Sequence, residues 1–208
     1  MQVLFCSKTF CSPQEFVFLW VVFMDVIRYN GVTLFWESGG SYQMHIVLVE
    51  PEIPGNTGNI ARLCAGTGMA LHLVRPLGFS TDDRHLKRAG LDYWHLVNVH
   101  YHDSFSDVQK QYEGHPFYFC TTKAAHLYSD ISYTSDDFLV FGKETAGLPE
   151  PLLAANEAHT IRIPMHEGAR SLNLSNAVAV VAYEALRQNY FADLCLSGTG
   201  CHGGSDCR

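Results

Sequence analysis

The chain has 208 residues, 47% of them hydrophobic and 17% charged, and a formal net charge of −7. This length fits one α/β domain of ordinary size with extra termini, and the apolar content supports a sizeable core, which excludes global disorder. The acidic balance excludes a protein that coats nucleic acid non-specifically, while leaving room for a local basic face.

In chain order, residues 1–43 look unlike the rest. The apolar run Phe16 to Met24 is bounded by Glu15 on one side and by Asp25 and Arg28 on the other. It is much shorter than the roughly 20 residues a membrane-spanning helix needs. A basic start followed by a small-residue cleavage site is missing, which disfavours a secretory leader. We read 1–43 as an appended segment that contributes nothing to the chemistry, 44–190 as the functional domain, and 191–208 as a flexible tail.

From Met44 strands and helices alternate. His45–Val49 reads as a buried strand, and Pro54-Gly55-Asn56 as a turn into a helix with Ile60, Leu63 and Cys64 on one face. Leu71–Val74 is a second strand, Asp82–Ala89 a short charged helix and His95–Val99 a third strand. Asp103–Tyr112 reads as a helix with Ser104 and Asp107 at capping-box spacing. Phe117–Cys120 and Phe138–Phe141 are continuous apolar strands, each ending in a polar loop. Thr160–Ile163 is the last strand and Asn176–Gln188 the last helix. Apolar strands alternating with helices predict an α/β fold, a mostly parallel sheet covered by helices on both faces. The last helix begins with small apolar residues on every face, Ala177 to Ala182. Such a surface needs cover from its own sheet on one side and from another subunit on the other.

Seven cysteines at irregular spacing do not form a disulfide framework. Cys64 and Cys120 lie in apolar runs and read as buried core residues, and the chain reads as a reduced, cytoplasmic protein. His100 and His102, and the tail residues Cys201, His202 and Cys207, lack the paired spacing of a zinc site, so no metal is expected.

Ligands of parallel sheets bind at the carboxyl ends of strands. That rule selects Glu50–Asn59, Pro76–Asp82, Thr121–Lys123, Gly142–Leu148 and Pro164–Asn173. Asn56 suits a helix N-cap, and Asn59 and Arg62 share a helix face; a capped surface helix with a solvated arginine is the plain alternative. Gly142-Lys-Glu-Thr-Ala-Gly-Leu-Pro149 follows a buried strand, and its glycines let a ligand approach the backbone. An ordinary strand-to-helix turn is the alternative there. Arg84, Lys87 and Arg88 lie close together, and Arg62, Lys123, Lys143, Arg162 and Arg170 fall beside the polar loops, either as a basic face or as solvated charge. Gly66-x-Gly68 closes a helix and so is no dinucleotide fingerprint, and no serine sits in a Gly-x-Ser-x-Gly elbow.

Four segments carry a resemblance: Glu50-Pro-Glu-Ile-Pro-Gly-Asn-Thr-Gly-Asn-Ile-Ala-Arg62, Arg88-Ala-Gly-Leu-Asp-Tyr93, Phe141-Gly-Lys-Glu-Thr-Ala-Gly-Leu-Pro149, and Ile161 to Glu184. In order and content they resemble the SPOUT class of RNA methyltransferases, the α/β-knot enzymes. Within that class the chain is similar, from about Met44 to Gln188, to the tRNA (cytidine/uridine) 2′-O-methyltransferases that act on the wobble nucleotide, position 34, of leucine tRNAs. The resemblance implies a deep C-terminal trefoil knot cradling S-adenosylmethionine, which periodicity could not reveal because knots are so rare. It also implies a homodimer, and the modest count of basic residues suggests a compact footprint on the tRNA, the anticodon stem-loop alone. Carried over residue by residue, Cys120, Thr121, Gly142, Ile163, Met165, Ser171 and Leu172 would hold the cofactor. Asn56, Arg62, Glu144, Ser171 and Asn173 would take the catalytic or substrate-positioning places. The resemblance gives Arg62 the task of drawing the proton from the ribose hydroxyl. A guanidinium is a poor base, so Arg62 could instead hold the ribose or a phosphate while water or another group accepts the proton. A ribosomal RNA 2′-O-methyltransferase of the same fold, or a non-catalytic RNA-binding module that keeps the pocket, are the alternative readings.

Overall fold

The structure, a computed structural model, describes residues 24–29, 32–37, 43–80 and 94–197. It divides into two compact units, 1–41 and 42–208. The first holds an antiparallel pair, β1 (Met24–Tyr29) and β2 (Val32–Glu37), with Tyr29 opposite Val32. The sequence reading placed no element here, although Asn30-Gly31 between the strands is the dipeptide most favoured in two-residue hairpin loops.

The second unit carries a seven-stranded sheet. In chain order its strands are β3 (His45–Val49), β4 (Ala70–Val74), β5 (Val99–His102), β6 (Phe117–Cys120), β7 (His126–Leu127), β8 (Phe138–Phe141) and β9 (Thr160–Arg162). The spatial order is β5-β4-β3-β8-β6-β9-β7, and every pairing is parallel. Among the described residues its helices are α1 (Pro54–Thr67), α2 (Phe105–Gln111), α3 (Glu150–Ala155) and α4 (Leu174–Gln188). β3, β4 and β8 are buried along their whole length, because both faces of the sheet are covered.

On one face Ile46, Leu48, Leu71, Leu73, Leu139 and Ile161 pack with Ile60 and Cys64 of α1 and with Val178, Val181, Ala185 and Leu186 of α4. On the other, Val47, Val74, Phe119, Phe138 and Val140 meet Val108 of α2 and Leu153 of α3. Each fully buried aliphatic side chain contributes about 1.5–3 kcal/mol, so the central strands anchor the loops that follow them.

Several boundaries differ from expectation. α1 begins at Pro54 behind an N-cap at Ile53, so Asn56 lies inside the helix and does not cap it. The third strand is Val99–His102, and Trp94–Leu96 is a 3₁₀ turn in place of the expected strand start. α4 starts at Leu174, with Asn173 as its cap: the Asn173 side-chain oxygen accepts from the Ser175 amide at 2.9 Å. The Ser104 cap of α2 accepts from the Asp107 amide at 3.3 Å, and its hydroxyl donates to the Asp107 carboxylate at 2.7 Å. The expected helix at 82–89 and the 88–93 motif lie outside the described residues, except that Trp94 onward is described. Of the expected tail, Phe191 and Leu194 pack against the first core, and the Phe191 amide donates to the Leu186 carbonyl at 2.8 Å. Cys64 and Cys120 are free thiols.

A row of histidines crosses three adjacent strands beneath α2. His45 Nδ1 lies 2.9 Å from His72 Nε2, and His72 Nδ1 lies 3.0 Å from His102 Nε2. His45 stacks on Phe138 at 4.1 Å and His72 on His100 at 4.7 Å. Burial, reinforced by the neighbouring imidazoles, pushes His45 down to about 4 and His72 down to about 2. These rings are therefore neutral near pH 7, each able to donate one N–H and accept one. Among the described residues no helix is long and apolar enough to cross a membrane, and no group of three or more His, Cys, Asp or Glu is arranged to hold a metal ion.

Candidate functional site

Four neighbouring strands, β3, β8, β6 and β9, deliver their following loops to one end of the sheet. Those loops enclose a cleft of about 560 Å³. Between β3 and β8 the chain's successive connections leave in opposite directions: β4 and β5 extend one side, while β6, β7 and β9 build the other. This is where an open parallel sheet forms its binding crevice.

The seven residues expected to hold a cofactor all line this cleft: Cys120 and Thr121 after β6, Gly142 after β8, and Ile163, Met165, Ser171 and Leu172 after β9. Asn56, Glu144 and Asn173 line it as well. Arg62 does not. It is exposed on α1, six residues beyond Asn56, which puts it about 9 Å along the helix axis and about 120° round it. Of the expected Pro76–Asp82 loop, the described residues 76–80 contribute nothing to the lining.

Gly142 lets the loop after β8 fold tightly on itself. A Cβ there would lie 2.1 Å from the Gly147 carbonyl carbon and 2.2 Å from the Leu148 nitrogen. The turn that follows folds back on itself: the Gly147 amide donates to the Lys143 carbonyl at 2.8 Å, and Gly147 has φ 72°, a left-handed conformation that suits glycine.

Glu144, Asn56 and Asn173 form one hydrogen-bonded chain. Asn56 Nδ2 donates to Glu144 Oε1 at 2.9 Å, and Asn173 Nδ2 donates to Asn56 Oδ1 at 2.9 Å. Glu144 Oε2 also accepts from the Glu52 amide at 2.8 Å, and Oε1 from the Ile53 amide at 3.3 Å. The Glu144 carboxylate thus holds the two amides that lead into α1, at the helix end where negative charge is favoured. With both oxygens accepting, Glu144 serves here as a clamp between loops. Charge-assisted bonds of this kind contribute about 1.5–3 kcal/mol each.

Sequence reasoning did not single out two further links. Lys143 Nζ pairs with Glu50 Oε2 at 2.8 Å, and Glu52 Oε2 accepts from Thr145 Oγ1 at 2.7 Å and from the Thr145 amide at 3.1 Å. Their signal was complementary charge in two quoted motifs, Glu50-Pro-Glu52 and Lys143-Glu-Thr145. At the rim, Lys123 after β6 forms an ion pair with Glu150 at the start of α3. Burial pushes the Cys120 thiol up to about 12, which leaves it a neutral, apolar part of the wall.

The expected all-round cover of α4 is met only in part. Val178, Val181 and Ala182 are buried in the protein's own core, while Val180 and Tyr183 are 37% and 50% exposed. Ile53 and Leu172, at the cleft, are also exposed apolar residues.

A cleft at a parallel-sheet crevice, bounded by the Glu144 clamp, is the place where such a fold holds a small molecule, and the sequence comparison says which class of protein carries it. The chain belongs to the SpoU methylase family: residues 43–183 match the SpoU rRNA methylase family. A Yersinia pestis protein named tRNA (cytidine(34)-2′-O)-methyltransferase is 53% identical over 151 residues, which cover 70% of this chain and 93% of that one. A solved structure described as giving insight into 2-OH methylation of C/U34 on tRNA is 44% identical with a TM-score of 0.68, covering 73% of this chain and 99% of that one. The SpoU methyltransferase AviRb from Streptomyces viridochromogenes, solved in complex with AdoMet, is 26% identical with a TM-score of 0.59, covering 70% of this chain and 57% of that one.

Proposed function

We propose that this protein is an S-adenosylmethionine-dependent tRNA 2′-O-methyltransferase that acts on the ribose of nucleotide 34, cytidine or uridine, in the anticodon loop. The observation that carries this reading is the cleft lined by Cys120, Thr121, Gly142, Ile163, Met165, Ser171 and Leu172, on a chain whose near full-length relatives are named for that reaction. At about 560 Å³ the cleft falls within the roughly 300–1,000 Å³ usual for cofactor sites, and its lining joins apolar Ile163, Met165 and Leu172 to polar Thr121 and Ser171, a mixture that fits a cofactor with an apolar and a polar part.

When bound, the cofactor supplies the methyl group. The chain's own residues hold the reactants in line, which can supply several kcal/mol of the barrier. Asn56, Glu144 and Asn173 fix the cleft loops to the start of α1 and of α4, so the walls are set before substrate arrives. Ser171 presents a hydroxyl from the last loop. Arg62 faces away from its own cleft, and in this reading it serves the cleft of a second copy, holding the ribose or an adjacent phosphate. A homodimer seated on Val180 and Tyr183 would cover the exposed face of α4. The same reading has the final segment threaded in a trefoil knot beneath the 142–149 loop, and places the enzyme in the cytoplasm with its tRNA.

The test is methylation of unmodified and native leucine tRNAs with labelled S-adenosylmethionine, followed by mapping of the methylated nucleotide. Label on the 2′-oxygen of nucleotide 34 is the expected result. Cofactor binding with no transfer to any tRNA would favour a non-catalytic module, and transfer to ribosomal RNA alone would favour the ribosomal reading.

A further inference from the structure

The segment Glu50–Ile53 lies where three crossovers meet. Glu50 follows β3 with φ 52°, a left-handed conformation that costs a non-glycine residue stability and that concentrates at functional sites. Its carboxylate is held by Lys143 of the loop after β8. Pro51 accepts from the Gly78 amide at 2.9 Å. At Gly78 a Cβ would lie 2.7 Å from Glu52 Cα, so the loop after β4 presses directly on the Glu52 backbone.

Glu52 and Glu144 then exchange places in a reciprocal arrangement. The Glu144 carboxylate takes the amides of Glu52 and Ile53, and the Glu52 carboxylate takes the amide and hydroxyl of Thr145. Thr145 lines the cleft, whereas Glu52 does not. Each carboxylate thus holds the backbone of the segment that carries the other. A deviation of the 143–147 turn moves the first turn of α1, and with it Asn56.

We propose that Glu52 is a positioning residue for the transfer reaction. Acting through Thr145, its carboxylate sets the cleft turn and the start of α1 as one unit, so that cofactor grip and substrate alignment are established together. This rests on the methyltransferase reading above for its consequence in catalysis, but the clamp itself is a property of the free protein.

The experiment compares Glu52→Ala, Glu52→Gln, Thr145→Val and the Glu52→Ala/Thr145→Val double variant in the full chain. Three quantities are read: amide hydrogen exchange at Thr145 and Ile53 without ligand, S-adenosylmethionine affinity by calorimetry, and kcat and KM for tRNA. Glu52→Ala is expected to speed exchange at both amides at least tenfold, weaken the cofactor about tenfold and lower kcat more than it raises KM. Glu52→Gln keeps an acceptor oxygen and is expected to recover to within about threefold of wild type. The double variant should be no worse than Glu52→Ala alone, because the two residues act through one contact. Unchanged exchange at Thr145 in Glu52→Ala, or effects that multiply independently in the double variant, would overturn the proposal. If Glu52→Ala does not fold, Glu52→Gln and Thr145→Val are read on the same three quantities, and wild-type values in both overturn it equally. A wild-type protein that bound cofactor without methylating tRNA would count against the functional reading, while exchange and affinity would still decide the clamp.

Discussion

The buried histidine row makes acid sensitivity a quantitative expectation. His45, His72 and His102 all have their imidazoles held below the ordinary value by burial. The charged and titratable groups around them are His100, His115, Asp107, Asp136 and Tyr112; the two aspartates oppose the shifts at His102 and His45 without cancelling them. In the unfolded chain each histidine takes up a proton near its ordinary value of 6.5. In the folded chain His45 does so only near 4 and His72 near 2. Between these limits the unfolded state binds more protons, so stability falls as pH falls. The slope is about 1.4 kcal/mol per pH unit for each histidine. The unfolded histidine is only half protonated at pH 6.5, so the full slope develops below about pH 6, and from pH 6.5 to 5 these two groups together remove about 3 kcal/mol, a large share of the roughly 5–15 kcal/mol that stabilises a domain. Asp137, whose carboxyl burial raises, acts in the opposite sense at the acid end of this window. The assay is urea unfolding across pH 5–7.5, with the slope of stability against pH read for wild type and for His72→Phe. The variant leaves His45 and His102 short of a partner, which lowers stability at every pH, so the slope and not the intercept is decisive. Its slope should drop by about 1.4 kcal/mol per unit. A stability that stays flat from pH 7.5 to 5, or a slope that His72→Phe does not change, would refute the reasoning.

Three further outcomes are expected. Gly142→Ala drives a Cβ into the backbone of Gly147 and Leu148, which should cost about 1–3 kcal/mol of stability and weaken S-adenosylmethionine at least tenfold by calorimetry. Gly55→Ala, with nothing within 4 Å of its Cβ, should fold at least as well as wild type, and equal losses in both variants would contradict the steric explanation. Cys120, pushed from an ordinary thiol value of 9.0 to about 12, should react with iodoacetamide about a thousandfold more slowly than a free thiol at pH 8, since the thiolate is the nucleophile; mass-spectrometric labelling rates at the free-thiol level would show that the wall opens. Mixing Arg62→Ala chains with Ser171→Ala chains should restore methyl transfer in heterodimers, because one of the two clefts keeps both residues. No recovery would count against a shared site.

The sheet was legible because its central strands are continuous apolar runs. His45–Val49 and Phe138–Phe141 are uniformly buried, and a run with no polar alternation belongs to a strand covered on both faces. The edge strands were harder. β5 holds His100 and His102, polar residues that read as the end of a strand but pack against His72 inside it, which displaced the expected strand toward His95. The two residues of β7 and the six of α3 are too short to leave a period. At the cleft, residue types were readable and partners were not. Asn56 looked like a cap because it follows Pro54-Gly55, yet its side chain bridges Glu144 and Asn173, 88 and 117 residues away. Local spacing carries no record of contacts at that range. The roles of Ser171 and Arg62 came from family resemblance, and the geometry adds that Arg62 sits away from the cleft of its own chain.

The most direct measurement is a crystal structure of the protein grown or soaked with S-adenosylmethionine. The donor should lie in the cleft against the backbone of Cys120, Gly142, Ile163 and Leu172, with Glu144 still clamped to the start of α1. Density for the donor at any other place, or an empty cleft at saturating donor, would contradict the assignment.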